Sequence, residues 1–187
     1  MLAPVRTDTE QIYPVTLDEA KQHVGAIGFT SDDDEIKHFI AAATSDLERT
    51  LNMAFSLQHW RQDISCFSGS HYLYPNPVKE ITAVTYLDEN GSVVTLPKSE
   101  YALYVDALGS FLEFLSADLP VTAIRRDAIS ITYQCGYSDG MCHPSLRAAI
   151  LIYVGYLYGH RGQPDLQAID NIPACEKLIF SFRKPRV

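Results

Sequence analysis

The chain has 187 residues, enough for one sizeable domain or two small ones, and at 47% hydrophobic and 20% charged its composition excludes disorder. No apolar run approaches the ~18 residues of a membrane-spanning helix, and Met1–Glu10 lacks the apolar core of a secretory signal. With 15 Lys and Arg against 23 Asp and Glu the net charge is −8, which argues against a broad grip on nucleic acid. The four cysteines (Cys66, Cys135, Cys142 and Cys175) are too scattered for a disulfide scaffold and fit buried thiols in a reducing cytosol.

The first predicted helix opens at Thr16-Leu17-Asp18-Glu19, a capping box, runs through Ala20 and Val24, and stops at Gly25 and Gly28. A longer helix follows the acidic run Asp32-Asp33-Asp34-Glu35, whose carboxylates suit the positive end of a helix dipole. Its apolar stripe is Ile36, Phe39, Ile40, Ala43, Leu47, Leu51 and Ala54. From Ser56 the period changes to two. Trp60, Gln62, Ile64 and Cys66 share one face of a strand, and Ile81, Ala83 and Thr85 share one face of another. Asn90-Gly91 predicts a tight hairpin between 78–87 and 92–96, with further strands at 101–105, 111–115 and 128–134.

Helix returns at Pro144, a residue suited to a first turn. Its stripe of Leu146, Ala149, Ile150, Tyr153, Val154, Leu157 and Tyr158 is matched by Leu151, Ile152 and Tyr156 on the opposite side. A helix apolar all round needs cover all round, from its own core or from a second subunit. A loop over 163–173 and a short helix over 174–182 precede the basic tail 183–187. Helices, then strands, then helices predict an α+β protein: a helical bundle with an inserted small antiparallel sheet or sandwich. The predicted divisions are 1–55, helical; 56–141, the inserted β domain; and 142–187, helices and tail packing with 1–55.

Little of this patterning suggests chemistry. Consecutive acids on a helix diverge by about 100° and cannot converge on one ion. Cys135, Cys142 and His143 lack the paired knuckles of a zinc site. No nucleophile elbow, paired-histidine motif or glycine-rich phosphate loop occurs, so neither enzyme activity nor a cofactor is expected. Tyr86, Tyr101, Tyr104 and Tyr133 read as strand-packing residues, and Tyr153, Tyr156 and Tyr158 as interface anchors.

The ordered set of segments resembles the head–tail connector (adaptor, or head-completion) proteins of tailed bacteriophages. The resemblance rests on Pro14-Val15-Thr16-Leu17-Asp18-Glu19-Ala20-Lys21, on the helix from Asp34-Glu35-Ile36 to Leu47-Glu48, and on Gln58-His59-Trp60-Arg61. Val84-Thr85-Tyr86-Leu87-Asp88, Ile131-Thr132-Tyr133-Gln134-Cys135-Gly136-Tyr137, Pro144-Ser145-Leu146-Arg147-Ala148-Ala149-Ile150 and Leu178-Ile179-Phe180-Ser181-Phe182-Arg183 complete it. It implies a structural virion protein, made in the bacterial host cytoplasm, that forms a closed ring of about twelve subunits beneath the portal. Such a ring extends the DNA channel and offers a platform to a tail, stopper or nozzle protein, without sequence-specific DNA binding and without a membrane.

Under that resemblance Phe180, Phe182, Arg183, Lys184 and Arg186 are the expected portal-binding residues. Phe39, Ile40, Leu47, Tyr153, Tyr156 and Tyr158 are the expected ring interface, and Asp32, Asp33, Asp34 and Glu35 are acidic candidates for the channel wall. The alternative is a small cytosolic α+β enzyme or ligand-binding domain.

Overall fold

The computed structural model describes residues 2–9, 11–116, 118–138, 142–161 and 172–183. They form an α+β protein with four α-helices and two antiparallel sheets among the described residues. The chain divides into two compact units, Met1–Gln11 with Leu57–Gly136 and Ile12–Ser56 with Tyr137–Val187. The first eleven residues therefore group with the strands, not with the helices as 1–55 anticipated. The reason is strand β1 (Val5–Arg6), which pairs with β2 (Gln58–Ile64).

The larger sheet of the β unit has the order β1-β2-β8-β4-β5, where β4 is Val78–Leu87, β5 is Val93–Thr95 and β8 is Ile129–Cys135. Central strand β8 alternates as its sequence predicts, with Ile129, Ile131, Tyr133 and Cys135 fully buried. The neighbouring β4 does not. Its register shifts between Val78 and Glu80 and again between Ile81 and Ala83, so the buried residues are Val78, Ile81 and Val84. An extra residue at each irregularity turns the following side chains over, which period-two reading cannot anticipate. The hairpin after β4 also differs: only Gly91 takes a positive φ, 82°, and the Asp88 carboxylate accepts from the amides of Asn90 (2.9 Å) and Ser92 (2.8 Å).

The smaller sheet is β3-β7-β6, with β3 Ser70–Tyr72, β6 Tyr101–Val105 and β7 Ser110–Phe114. Cys66 lies beyond the end of β2 and is exposed, a correction to its expected inward face. Tyr104 is likewise 44% exposed although its ring leans on Phe111. Buried polar groups tie the unit's interior together. Gln62 donates to the Tyr72 carbonyl (2.9 Å), the Tyr133 hydroxyl donates to the Tyr74 carbonyl, and Asn76 accepts from the Ser110 amide (2.8 Å).

The helical unit holds α1 (Leu17–Val24), α2 (Asp33–Leu51), α3 (Pro144–Gly159) and α4 (Pro173–Ile179) around one apolar core. The capping box of α1 is complete: Thr16 Oγ1 accepts from the Glu19 amide (3.2 Å) and Glu19 Oε2 accepts from the Thr16 amide (2.8 Å). Helix α2 stops at Asn52, in the left-handed region at φ 54°, so Ala54 lies past its end but remains buried. His143 caps α3, its Nδ1 accepting from the Ser145 amide at 3.2 Å. Helix α3 is the central element, against which α1, α2 and α4 all pack. Its buried stripe is Leu146, Ala149, Ile150, Val154 and Leu157, while Leu151, Ile152 and Tyr156 on the other side are half-buried. Cover by three helices explains most of its apolar circumference without a second chain.

Candidate interaction surfaces

Among the described residues, no group of three or more His, Cys, Asp or Glu side chains is placed to hold a metal ion. Burial pushes the Cys142 and Cys175 thiols up to about 11, which leaves them protonated and weakly nucleophilic at neutral pH. Cys66 runs the other way. Hydrogen bonds from Ser68, at 3.0 Å between Sγ and Oγ, and from Ser65 lower its pKa.

The acidic residues at the start of α2 each meet a cation of their own unit. Asp32 accepts from the Tyr158 hydroxyl (2.7 Å) and from Arg161 (3.0 Å), whose guanidinium stacks 4.3 Å above the Tyr158 ring. These bonds hold the Asp32 carboxyl below its ordinary value, the Tyr158 bond contributing most. Arg161 also reaches Glu35 at 3.5 Å, Lys21 pairs with Asp33 at 2.6 Å and Lys37 with Asp34 at 2.9 Å. The run is thus a seam that fastens α2 to α1 and to the end of α3, with Asp34 and Glu35 exposed at its outer side.

The six expected interface residues separate into two groups. Leu47 is fully buried in the core of the helical unit, and Ile40 is buried there too but shows one edge to a surface groove; their stripe faces α3. Phe39, Tyr153, Tyr156 and Tyr158 are half-buried. Tyr153 donates its hydroxyl to Asp46 (3.2 Å), and Tyr156 stacks on His160 with ring centroids 4.2 Å apart. Burial, with the Asp46 charge beside it, raises the Tyr153 pKa to about 12.

At the C-terminal end, α4 continues into a 3-10 turn at Phe180–Phe182 that turns the two aromatics different ways. Phe180 is 72% exposed. Phe182 lies edge-on against His143, ring centroids 5.0 Å apart, and packs on the helical core. Arg183 pairs with Glu176 at 2.9 Å. Lys184 and Arg186, like most of the expected loop over 163–173, lie outside the described residues.

Two surface features had no counterpart in the sequence reading. Ile27 and Phe29, between α1 and α2, are 68% and 65% exposed. A groove of about 410 Å³ runs along the same helix pair, lined by Tyr13, Val15, Leu17, Lys37, His38, Ile40 and Ala41. The signal for the first was present as Gly25-Ala26-Ile27-Gly28-Phe29, in which large apolar residues alternate with helix-stopping glycine. The groove has no signal in sequence, because residues 13–17 and 37–41 meet only in the fold.

No protein-family model and no curated protein matches the sequence. Solved structures do. A chain in the neck of an empty gene transfer agent (GTA) particle, computed with C6 symmetry, superposes with a TM-score of 0.81 over 100% of this chain and 97% of that one, at 19% identity. A chain of the native GTA virion gives 0.77 over 100% and 97%, at 20% identity. A chain in the native GTA neck, computed with C12 symmetry, gives 0.75 over 98% and 97%, at 19% identity. At such identities the likeness is one of fold, and it extends over both units.

Proposed function

We propose that this chain is a structural subunit of the neck of a tailed-phage-like particle, a connector that forms a ring of about twelve copies between portal and tail. The observation that carries the reading is end-to-end agreement of fold with GTA neck chains at a TM-score of 0.81. The connector-like order of the sequence segments supports it independently. In this reading the helical unit builds the ring. The net charge of −8 per chain, repeated around a ring, repels DNA phosphates and lets the genome pass without sticking. Asp34 and Glu35, at the outer side of the α2 seam, are the acidic-cluster residues most available to such a wall.

The C-terminal segment is the proposed portal anchor, with a division of labour between its aromatics. Phe182 fixes the turn on His143, and Phe180 is the side chain left to enter a partner, followed by Arg183, Lys184 and Arg186. Aromatic and Arg side chains concentrate binding energy at interfaces. The test is reconstitution of the purified chain on portal-bearing heads, imaged in the neck. A ring of density at the portal is the expected result. A soluble chain that never joins such heads overturns the reading.

A further inference from the structure

The turn from β2 into β3 is held to the β unit by two rings. Ser65, Cys66, Ser68, Gly69 and Ser70 are exposed, whereas Phe67 and His71 are half-buried. Phe67 lies edge-on to Phe114 and to Tyr86, with ring centroids 5.0 and 5.6 Å apart, and His71 lies edge-on to the same Phe114 at 5.8 Å. Backbone support is thin, because β3 is three residues long and pairs only with β7. At its far end Leu73 is fully buried and its amide donates to the Ser110 carbonyl at 2.9 Å, which confines any opening to the residues before it.

Of the two rings, His71 is the one whose fit depends on charge. Its Nε2 is buried and meets no hydrogen-bond partner among the described residues, while the ring bonds the backbone of Ser68. A neutral imidazole has one N–H and one bare nitrogen, so the tautomer that fits carries its proton on Nδ1 and leaves Nε2 bare. A second proton would make Nε2 a buried donor without an acceptor. The surroundings offer no relief. Leu112 stands opposite His71, whereas Glu113 stands opposite Ser70, and Tyr72 donates its hydroxyl to Asp106, so both carboxylates belong to the other face of the sheet. Cys66 bonds Ser65 and Ser68. The charge that does act on the ring is the amino terminus, which is of the same sign. Burial foremost, and that charge, hold the His71 pKa below its ordinary value against the opposing Ser68 bond.

We infer that His71 is an acid-sensitive latch, whose protonation swings the ring out to water and frees the turn 65–71 from β7 while β8 and its neighbours stay paired. The sign follows from proton linkage. The opened turn binds a proton at histidine's ordinary pKa, about 6.5, and the closed turn only at lower pH. Closure is therefore at full strength above that value and weakens as pH falls through it. Phe67 is left as the remaining ring contact of the turn, and the buried strands behind it contain no group with the same defect among the described residues, so the opening is local.

The test is hydrogen exchange on the full purified chain, read by mass spectrometry at about pH 7.5 and about pH 5, either side of histidine's ordinary value. Labelling times are scaled for the intrinsic pH dependence of amide exchange. Peptides covering 65–72 are expected to lose protection several-fold at the lower pH, while those of β8 keep theirs. His71→Phe leaves a ring against Phe114 that cannot take a proton, and is expected to hold its protection at both pH values. Unchanged protection of 65–72 in the wild type overturns the latch, and so does an equal loss in β8 or in His71→Phe. Should that variant fail to fold, the wild-type ring is followed by nuclear magnetic resonance. It is expected to titrate below about 6.5, in step with the loosening of the β3 amides. A ring that takes its proton while the β3 amides stay protected overturns the latch.

Discussion

In the β unit, side chains carry hydrogen bonds into the interior, whereas the helical unit keeps its polar chemistry at the surface and fills its centre with apolar side chains. Gln62, Asn76, Ser110 and Tyr133 are all buried in the β unit, and their side chains bond backbone groups between Tyr72 and Val78 or, from Asn76, the Ser110 amide of β7. The core of the helical unit is Ile36, Ile40, Leu47, Leu146, Ile150 and Ile179 with their neighbours, and its ion pairs form a partly exposed seam around them. The contrast follows from the elements. A helix satisfies its own backbone, so packing is left to select the arrangement. The irregular segment around Pro75 and Pro77 has only isolated backbone bonds, from Leu73 to Ser110 and from Gly136 to Pro77, and draws its other partners from side chains.

The largest expected effect comes from the apolar centre. Leu47→Ala removes a fully buried side chain between α2 and α3 and is expected to cost about 2–5 kcal/mol in chemical denaturation. Losing less than about 1 kcal/mol would mean that the helical interior collapses around the gap. In the β unit, Tyr133→Phe keeps the shape but strips the donor from the Tyr74 carbonyl, with an expected cost of about 1–3 kcal/mol. An unchanged midpoint would show that water takes over the bond.

Thr44 reverses the sign. Its hydroxyl is buried in the helical unit and meets no hydrogen-bond partner among the described residues, so Thr44→Val is expected to stabilise by about 1 kcal/mol. A destabilising Val would break the contrast drawn between the two interiors. The smallest effect belongs to the surface seam. The Thr16 amide, with its hydroxyl and Arg147, holds the Glu19 carboxyl below its ordinary value, against a smaller opposing effect of burial. A carboxyl lowered on folding adds stability above its unfolded pKa and loses it as pH falls through the folded value. Glu19→Gln is therefore expected to flatten the acid limb of the stability curve below about pH 4, by less than about 1 kcal/mol because solvent screens the pair. Thiol alkylation compares the units directly: Cys66 is expected to react in the native protein, while Cys142 and Cys175 react only on opening, with rates that report how the helical unit opens.

Local signals carried much of the fold. The capping box at Thr16, the start of α3 at Pro144 and its end at Gly159, and the alternation of β8 each depend on neighbours within a few residues. The candidate surfaces were less legible. Ile40 and Leu47 have the spacing of an interface stripe, but equal spacing serves a core, and only the position of α3 decided between them. Phe180 and Phe182 look equivalent in sequence, and the 3-10 turn separates them into one exposed ring and one packed on His143.

By itself the sequence determined where α1 and α3 begin and where the longer strands lie, because caps, turns and hydrophobic period act within one or two turns of chain, but the short strands β1 and β3 left no such signal. It also determined the acidic balance and the order of segments that resembles phage connectors. Tertiary structure decided which apolar stripes became interior, where β4 slips its register, and how the acids of α2 are shared among Lys21, Lys37 and Arg161. It alone left Ile27 and Phe29 in water and opened a groove where residues 13–17 meet 37–41. Those features depend on residues distant in the chain meeting in space, and a one-dimensional pattern holds no record of that meeting.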